Sequence, residues 1–444
     1  MKRVATLVSL LTVLAIGAGT AATTSDGSTS ATSATAATPT KLTVWAGWSS
    51  RELAVFKSIV AEYDRKHPEV TITVRGSIND TNVVAAIRAG NPPDLATTFD
   101  STNVGNYCTT GAWIDLRPYL AKDHINLSIF PKTSVYYTSY KGVQCALPLL
   151  ADTWGLYYNT AMFKKAGLTQ PPKTISELTA YAKKLTVRNP DGSLKVVGFN
   201  PTRTFYGQNV PWILGHLFGA KWLDAKGKSS LSTSPGWARY LRWSKGLIDW
   251  YGADKLKRWQ AGVGDEFSAS NAFETGKLAM ANDGEWRVAF IAAEHPELKY
   301  ATAPMPVDDK VKQLYGSANV NGTIIGIPKN GKHTQEAWAL LKYLTTESHP
   351  LAVFSNGIRN VPTTKASLTS PEIKQDKQFA TFLKIFANPK NTTMPITPIG
   401  AAFGTLFNNF IDKYQAGHGG DLTKGLQKAD KDTDAQLGQG GGVP

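Results

Sequence analysis

The chain has 444 residues, a formal charge of +14 from 48 Lys and Arg against 34 Asp and Glu, 42% hydrophobic residues and two cysteines. About 400 residues remain once the polar N-terminal stretch is set aside, more than one ordinary core organises, so two domains are expected. The basic residues are spread along the chain without long runs, stacked-aromatic platforms or a helix-turn-helix signature, which excludes a nucleic-acid partner and leaves a solvated basic surface.

Lys2 and Arg3 precede an apolar stretch, Val4 to Ala18, and small residues at Gly19 to Ala22 then offer a cleavage site. That order reads as a secretory signal peptide over residues 1–22. The apolar run is shorter than the roughly 20 residues a bilayer span needs, with an uncleaved anchor as the alternative. Residues 23–40 are almost all Thr, Ser and Ala, too poor in apolar surface to offset ordering entropy, and read as a disordered linker. No later segment is long and apolar enough to cross a membrane, so the folded part is peripheral to it.

Leu42 to Trp45 carries a short strand signal. Ser49 and Glu52 then form an S-x-x-E capping box ahead of a helix with Leu53, Phe56, Val60 and Tyr63 on its apolar face, and Pro68 ends it. Val70, Ile72 and Val74 alternate with polar residues at strand period, completing a βαβ unit that predicts a parallel sheet and an α/β fold class. A helix over Val83 to Arg88, the Asn91-Pro92-Pro93 turn and a strand at Asp94 to Ala96 follow. Cys108 and Cys145, an even count in an exported chain, suggest a disulfide, with two separate buried thiols as the alternative. No Cys or His pair sits at ligand spacing, so no metal site and no cofactor are expected. A second capping box, Thr174 with Glu177, opens a helix through Leu185, and Ala337, Leu340, Leu341 and Leu344 mark another. Residues 438–444 are glycine-rich and read as a disordered tail.

The segment from Leu147 to Asn159, Leu-Pro-Leu-Leu-Ala-Asp-Thr-Trp-Gly-Leu-Tyr-Tyr-Asn, resembles the crossover strand of bacterial extracellular solute-binding proteins of family 1, the maltodextrin-binding-like receptors of ABC importers. Further blocks similar to that family follow in its order: Phe163 to Leu168, Pro171 to Leu178, Phe273 to Met280 with Gly284-Glu285-Trp286, Gly322 to Lys329, and Glu336 to Gly357 with Val361-Pro362. Together they cover roughly residues 42 to 415. The resemblance implies a two-lobed periplasmic-binding-protein fold of the maltose-binding type with a hinged interlobe cleft. Lobe one would hold residues 41–150 and 323–362, and lobe two residues 151–322 and 363–437. It also implies an ABC transporter permease as partner and a carbohydrate as ligand, with the chain a monomer. Many relatives end their signal in a lipobox cysteine; this sequence has none, so free secretion or retention by an uncleaved signal takes the place of a lipid anchor.

Sugar recognition sets flat aromatic faces against pyranose rings and carboxylates or amides against the hydroxyls. Trp48 follows the first strand, where cleft and core are equal alternatives. Asp100 ends the Leu95 to Phe99 segment, where relatives place a ligand-binding acid and where a helix N-cap is the rival reading. Asp152 sits at the crossover as a buried acid in need of a partner, and Trp154 lies two residues on. Trp286 matches a position that relatives use to stack on sugar. Trp212 with Asn209, the amides Asn319 and Asn321, and Arg359 complete the candidate ligand set; turn chemistry competes for the two amides, and a carboxylate within its own lobe competes for Arg359. No catalytic residue is assigned. The pairs Asp283 with Glu285 and Asp265 with Glu266 read as surface charges, since acids next to one another on a strand point to opposite faces rather than flank a bond, and G-x-S-x-G, H-E-x-x-H and Walker A motifs are missing. A secreted glycoside hydrolase and a cell-wall adhesive protein are the alternatives to a non-catalytic receptor.

Overall fold

The computed structural model describes residues 38–374 and 376–439. The expected signal peptide, most of the expected linker and residues 440–444 of the expected tail lie outside the described residues.

The strands, in chain order, are β1 (Thr40–Trp45), β2 (Val70–Arg75), β3 (Leu95–Thr98), β4 (Ser139–Tyr140), β5 (Val143–Gln144), β6 (Leu147–Asp152), β7 (Trp154–Asn159), β8 (Val187–Arg188), β9 (Leu194–Phe199), β10 (Leu278–Gly284), β11 (Tyr300–Pro304), β12 (Asn321–Gly326) and β13 (Val361–Pro362). They build two major sheets, ordered β13-β6-β12-β3-β1-β2 and β11-β7-β10-β9-β8, and the small β4-β5 hairpin. The predicted βαβ unit is present: β1 and β2 pair in parallel from Thr40↔Val70 to Trp45↔Arg75. Between them runs helix Ser50–Lys66, which buries Phe56, Ile59, Val60 and Tyr63. β12 and β13 return antiparallel beside β6. The second sheet is mixed, with β7 antiparallel to β10 and β11.

The two sheets are the floors of two lobes, each with its own core. One core gathers Leu42, Val44, Phe56, Leu147, Ile325 and Leu341; the other gathers Leu156, Tyr157, Leu178, Phe199, Trp237 and Met280. β6 ends at Asp152 in the first sheet and β7 starts at Trp154 in the second, so Thr153 alone joins them. The chain returns between β11 and β12, and leaves again after β13 for helix Lys377–Phe386, whose Phe382 ring packs on Gly155 of β7. Among the described residues no helix is long and apolar enough to cross a membrane.

Five local expectations meet the structure with mixed outcomes. The Thr174–Glu177 capping box is formed with both of its bonds. At Ser49 no side-chain cap bond exists, and Glu52 turns toward the space between the lobes instead. Thr40, taken as the end of the linker, belongs to β1, because it has a register partner in Val70. Gly438, taken as the start of a disordered tail, lies inside helix Leu422–Gln439; this helix is held down by buried Leu422, Leu426 and Ala429, and its last turn continues past the glycine. Cys108, on helix Val104–Thr110, is joined to Cys145 by a disulfide with Cα atoms 5.5 Å apart.

Candidate functional site

The strand ends that meet between the lobes bring aromatic and polar side chains together around a cleft. A cavity of about 250 Å³ is walled by Trp48, Phe99, Trp154, Trp212, Phe267 and Trp286, with Glu52, Asp152, Asn321, Thr323 and Asn360 between the rings. A second, of about 300 Å³, shares Phe99, Trp212 and Asn321 with the first and adds Asp100, Thr102, Asn319, Asn408, Trp222 and Met394. Their shared walls make them two compartments of one cleft. The combined volume falls within the roughly 300–1,000 Å³ typical of small-molecule sites.

The aromatic wall comes from both lobes. Trp154 opens β7, and its ring stands edge-on to Trp212 at 4.8 Å and to Trp286 at 5.7 Å between centroids. Such near-perpendicular edge-to-face contacts fix the pose of the rings. The Trp154 Nε1–H donates to Gln208 Oε1 at 2.5 Å, and the Gln208 amide donates in turn to Glu266. Trp286 caps helix Arg287–Glu294 and folds back over Gly284, where a Cβ would lie 2.3 Å from the indole. Only glycine leaves room for the ring there. The Trp286 Nε1–H is buried without a partner among the described residues. Trp48 is both of its alternatives at once: 4% exposed and packed on Phe56 and Phe354, with an edge on the cavity. Phe99 and Phe267, 46% and 57% exposed, stand at the rim.

The polar part centres on the crossover. Asn360 Nδ2 donates to Asp152 Oδ1 at 2.5 Å and to Glu285 Oε1 at 2.9 Å, and Glu285 Oε2 accepts from the Thr153 N–H at 2.9 Å. No cation joins this group. Burial pushes the Asp152 carboxyl up to about 7, against the Asn360 hydrogen bond and with help from the charge of Glu52. Burial also raises Glu285 well above the carboxylate range, and the neighbouring Asp152 adds to it. Asp100 likewise fills both of its expected roles. It lines the second compartment and caps the short turn Ser101–Asn103 by accepting from the Thr102 N–H at 3.0 Å. Burial raises its carboxyl too. Asn321 accepts from the Ser101 hydroxyl. Asn319 bonds Thr392 through Nδ2 at 3.5 Å, and its buried Oδ1 has no partner among the described residues.

Behind the wall lies a buried ion cluster. Arg287, 1% exposed, pairs with Asp283 at 2.7 Å and Glu274 at 2.8 Å, and Glu266 lies 4.0 Å away. Burial opposes the arginine's charge, yet the acids prevail and hold it above the ordinary guanidinium range. Glu266 is raised as well, to about 8, first by burial and then by the charge of Asp283.

The structure thus brings Trp48, Asp100, Asp152, Trp154, Trp212, Trp286, Asn319 and Asn321 to the cleft and leaves two candidates outside it. Asn209 is 3% exposed and turned into the second lobe, where its Nδ2 donates to the Asn200 carbonyl at 2.8 Å. Arg359 sits at the left-handed end of its helix, φ 63°, and is directed to Asp376 at 2.9 Å and the ring of Phe379. Its neighbour Asn360 takes the cleft position instead. Glu52, Phe99, Phe267, Glu285 and Asn360 were not among the candidates. Glu52 was hidden by the capping pattern, and Glu285 by strand alternation that β10 abandons at Gly284.

The model of the bacterial extracellular solute-binding protein family matches residues 58–381. A maltotriose-binding protein of Pyrococcus abyssi is 23% identical over 350 residues, 76% of this chain and 69% of that protein. An sn-glycerol-3-phosphate-binding periplasmic protein of Brucella abortus is 28% identical over 155 residues, 33% of this chain and 36% of its own length. Among solved structures, CpMnBP1 with mannotriose bound superposes with a TM-score of 0.79 at 27% identity, covering 89% of this chain and all of that one.

Proposed function

The chain belongs to the bacterial extracellular solute-binding proteins, and from that premise we propose that it captures an oligosaccharide between its lobes and delivers it to the permease of an ABC importer. The observation that carries this reading is the wall of Trp154, Trp212 and Trp286 opposite Asp152, Asn321 and Asn360 in one cleft. Rings offer the apolar faces that pyranoses stack on, and amides and carboxyls offer partners for hydroxyls. Relatives named for maltotriose and for mannotriose support a sugar of two or three rings, and the two compartments are compatible with that length. Ligand that touches both lobes favours the closed arrangement over the open one, by as much as its affinity differs between them.

The reading includes export by the signal over residues 1–22 and no catalysis. A hydrolase needs two carboxyl groups placed on either side of a bond. Asp152 and Glu285 instead share one amide, and Glu285 is wholly buried. The test is titration calorimetry of the secreted protein with maltotriose and mannotriose, beside a product assay on the same sugars. Heat of binding without product supports the reading; product, or no binding to any of a broad saccharide panel, overturns it.

A further inference from the structure

Behind the aromatic wall, three asparagines of the second lobe line one small cavity. Asn200 follows β9, Asn209 ends the loop after it, and Asn282 lies on β10; they are 2%, 3% and 5% exposed. The cavity measures about 10 Å³, close to the roughly 10–15 Å³ that a water-sized sphere takes up. Each amide has one end engaged, and that bond settles which end is oxygen and which is nitrogen. Asn200 Oδ1 accepts from the Thr202 N–H at 3.0 Å, Asn209 Nδ2 donates to the Asn200 carbonyl at 2.8 Å, and Asn282 Nδ2 donates to the Gln208 carbonyl. The opposite ends, Asn200 Nδ2, Asn209 Oδ1 and Asn282 Oδ1, are buried without a partner among the described residues. The other polar side chains of the wall, Tyr206, Gln208, Asn271 and Asp283, all have theirs.

Those three ends define the occupant. It must accept one hydrogen bond and donate two, in the space of a single small molecule. Water does both. A metal cation or an ammonium has no lone pair for the Asn200 N–H, and an anion has no proton for two amide oxygens. The site is separate from the cleft and shares none of its lining residues. A second observation shows what it holds. Tyr206 and Gly207, φ 57° and 67°, are both left-handed, and a bulky residue keeps that conformation only where its surroundings impose it. Three of those restraints are visible: the Tyr206 hydroxyl accepts from the Ala272 N–H at 3.0 Å, the Tyr240 hydroxyl donates to the Asn209 carbonyl at 3.0 Å, and Asn282 holds Gln208. Gln208, the next residue, is the one that accepts the Trp154 indole N–H at 2.5 Å.

We propose that Asn200, Asn209 and Asn282 form the site of one internal water, which ties β9 and β10 to the strained turn and thereby positions the Gln208 amide that holds Trp154. The water accepts from Asn200 Nδ2 and donates to Asn209 Oδ1 and Asn282 Oδ1. Asn209, whose amide suits a ligand hydroxyl, serves this water instead. The site does not depend on what the cleft binds, because it sets the pose of a cleft tryptophan from behind.

Two measurements test it, and neither needs a sugar. Neutron diffraction from crystals in heavy water reads the site itself. One water is expected within hydrogen-bond reach of all three asparagines, its two deuterons directed at Asn209 and Asn282. A cation there, or no scattering density, overturns the proposal. The second measurement follows the indole N–H signals of the tryptophans by nitrogen-15 NMR in two variants. Asn209→Ala removes one acceptor of the water together with the bond to the Asn200 carbonyl. Ala281→Val, on the cavity wall, leaves every asparagine bond in place and is expected to displace the water, which its crystal structure reads. In both variants the Trp154 signal is expected to shift and to exchange with solvent at least tenfold faster. The signal of Trp250, 37% exposed on a distant helix, is expected to stay in place. A Trp154 signal that stays unmoved once Ala281→Val has displaced the water overturns the positioning role, even if Asn209→Ala moves it.

Discussion

Replacing Asp152 by Asn removes one ionisable group from the interior while leaving the Asn360 amide an oxygen to bond. The side chain is 9% exposed and its carboxyl is pushed up from 3.8 to about 7 by burial. Between those two values the native state holds a proton that the unfolded chain releases, so stability falls as pH rises through this window and the loss is complete above it. At 1.36 kcal/mol for each tenfold change in the proton equilibrium, the full loss is roughly 4 kcal/mol. An unfolding entropy near 2.1 cal/mol/K per residue over about 400 residues converts this to a midpoint shift of about 5 °C. Asp152→Asn is therefore expected to unfold about 5 °C above the natural protein at pH 8 and at nearly the same temperature at pH 4. Removing Asp152 also takes away part of what raises Glu285, so the difference between the two melting curves reads the pair, with Asp152 as its titrating member lost in the variant. Scanning calorimetry over pH 4 to 8 checks it, and a difference that stays constant over that range refutes the assignment of a raised carboxyl to this site.

Trp286→Ala is expected to weaken sugar binding at least tenfold, about 1.4 kcal/mol, and Gly284→Ala to do the same by driving a Cβ into the indole; titration calorimetry of both variants reads the loss. Opening the Cys108–Cys145 bridge with Cys145→Ser frees a loop of sequence separation 37. It is expected to cost about 4 kcal/mol in the chain-entropy account, seen as a lower denaturant midpoint with little change in sugar affinity. Arg287→Ala leaves Asp283 and Glu274 buried without their cation. It is expected to destabilise the protein by about 3–5 kcal/mol, more at pH 8 than at pH 5, because low pH lets the stranded acids protonate; denaturant unfolding at the two pH values measures it.

The parts of the fold that depend on short-range pattern were legible. The alternation of Val70, Ile72 and Val74 and the apolar spacing of Phe56, Val60 and Tyr63 give a strand and a helix because burial on one face enforces those periods. Most of the aromatic wall was legible as well, since Trp at strand and helix ends is costly to expose and useful to a ligand. What escaped is what depends on the direction of single side chains. A left-handed residue at Arg359 turns that side chain outward and presents Asn360 to the cleft. Ser49 and Glu52 have the spacing of a capping box, but spacing does not say which of two partners the carboxyl chooses. Asn209 carries the right chemistry on the wrong side of its lobe. None of these choices leaves a periodic signal, because each is made by tertiary neighbours far away in sequence.

The placement of Asp152 gives the escaped residues a common meaning. Thr153 alone separates a strand of one sheet from a strand of the other, so rotation of one lobe against the other must bend the backbone there or at the other two crossings. Its N–H is held by Glu285 from the second sheet, and Glu285 is held by Asn360, which also holds Asp152 of the first. The hydrogen bonds at this crossing therefore run, through buried Glu285, to Asp152 and Asn360, which line the cleft. A ligand hydroxyl that bonds Asp152 or Asn360 competes within this network and, on the reading proposed above, alters the crossing as it binds. A hinge made of separate residues would need a relay to sense the ligand. On the reading proposed above the coupling is direct, and it gives a role to two buried carboxyl groups at a place where burial alone would disfavour them.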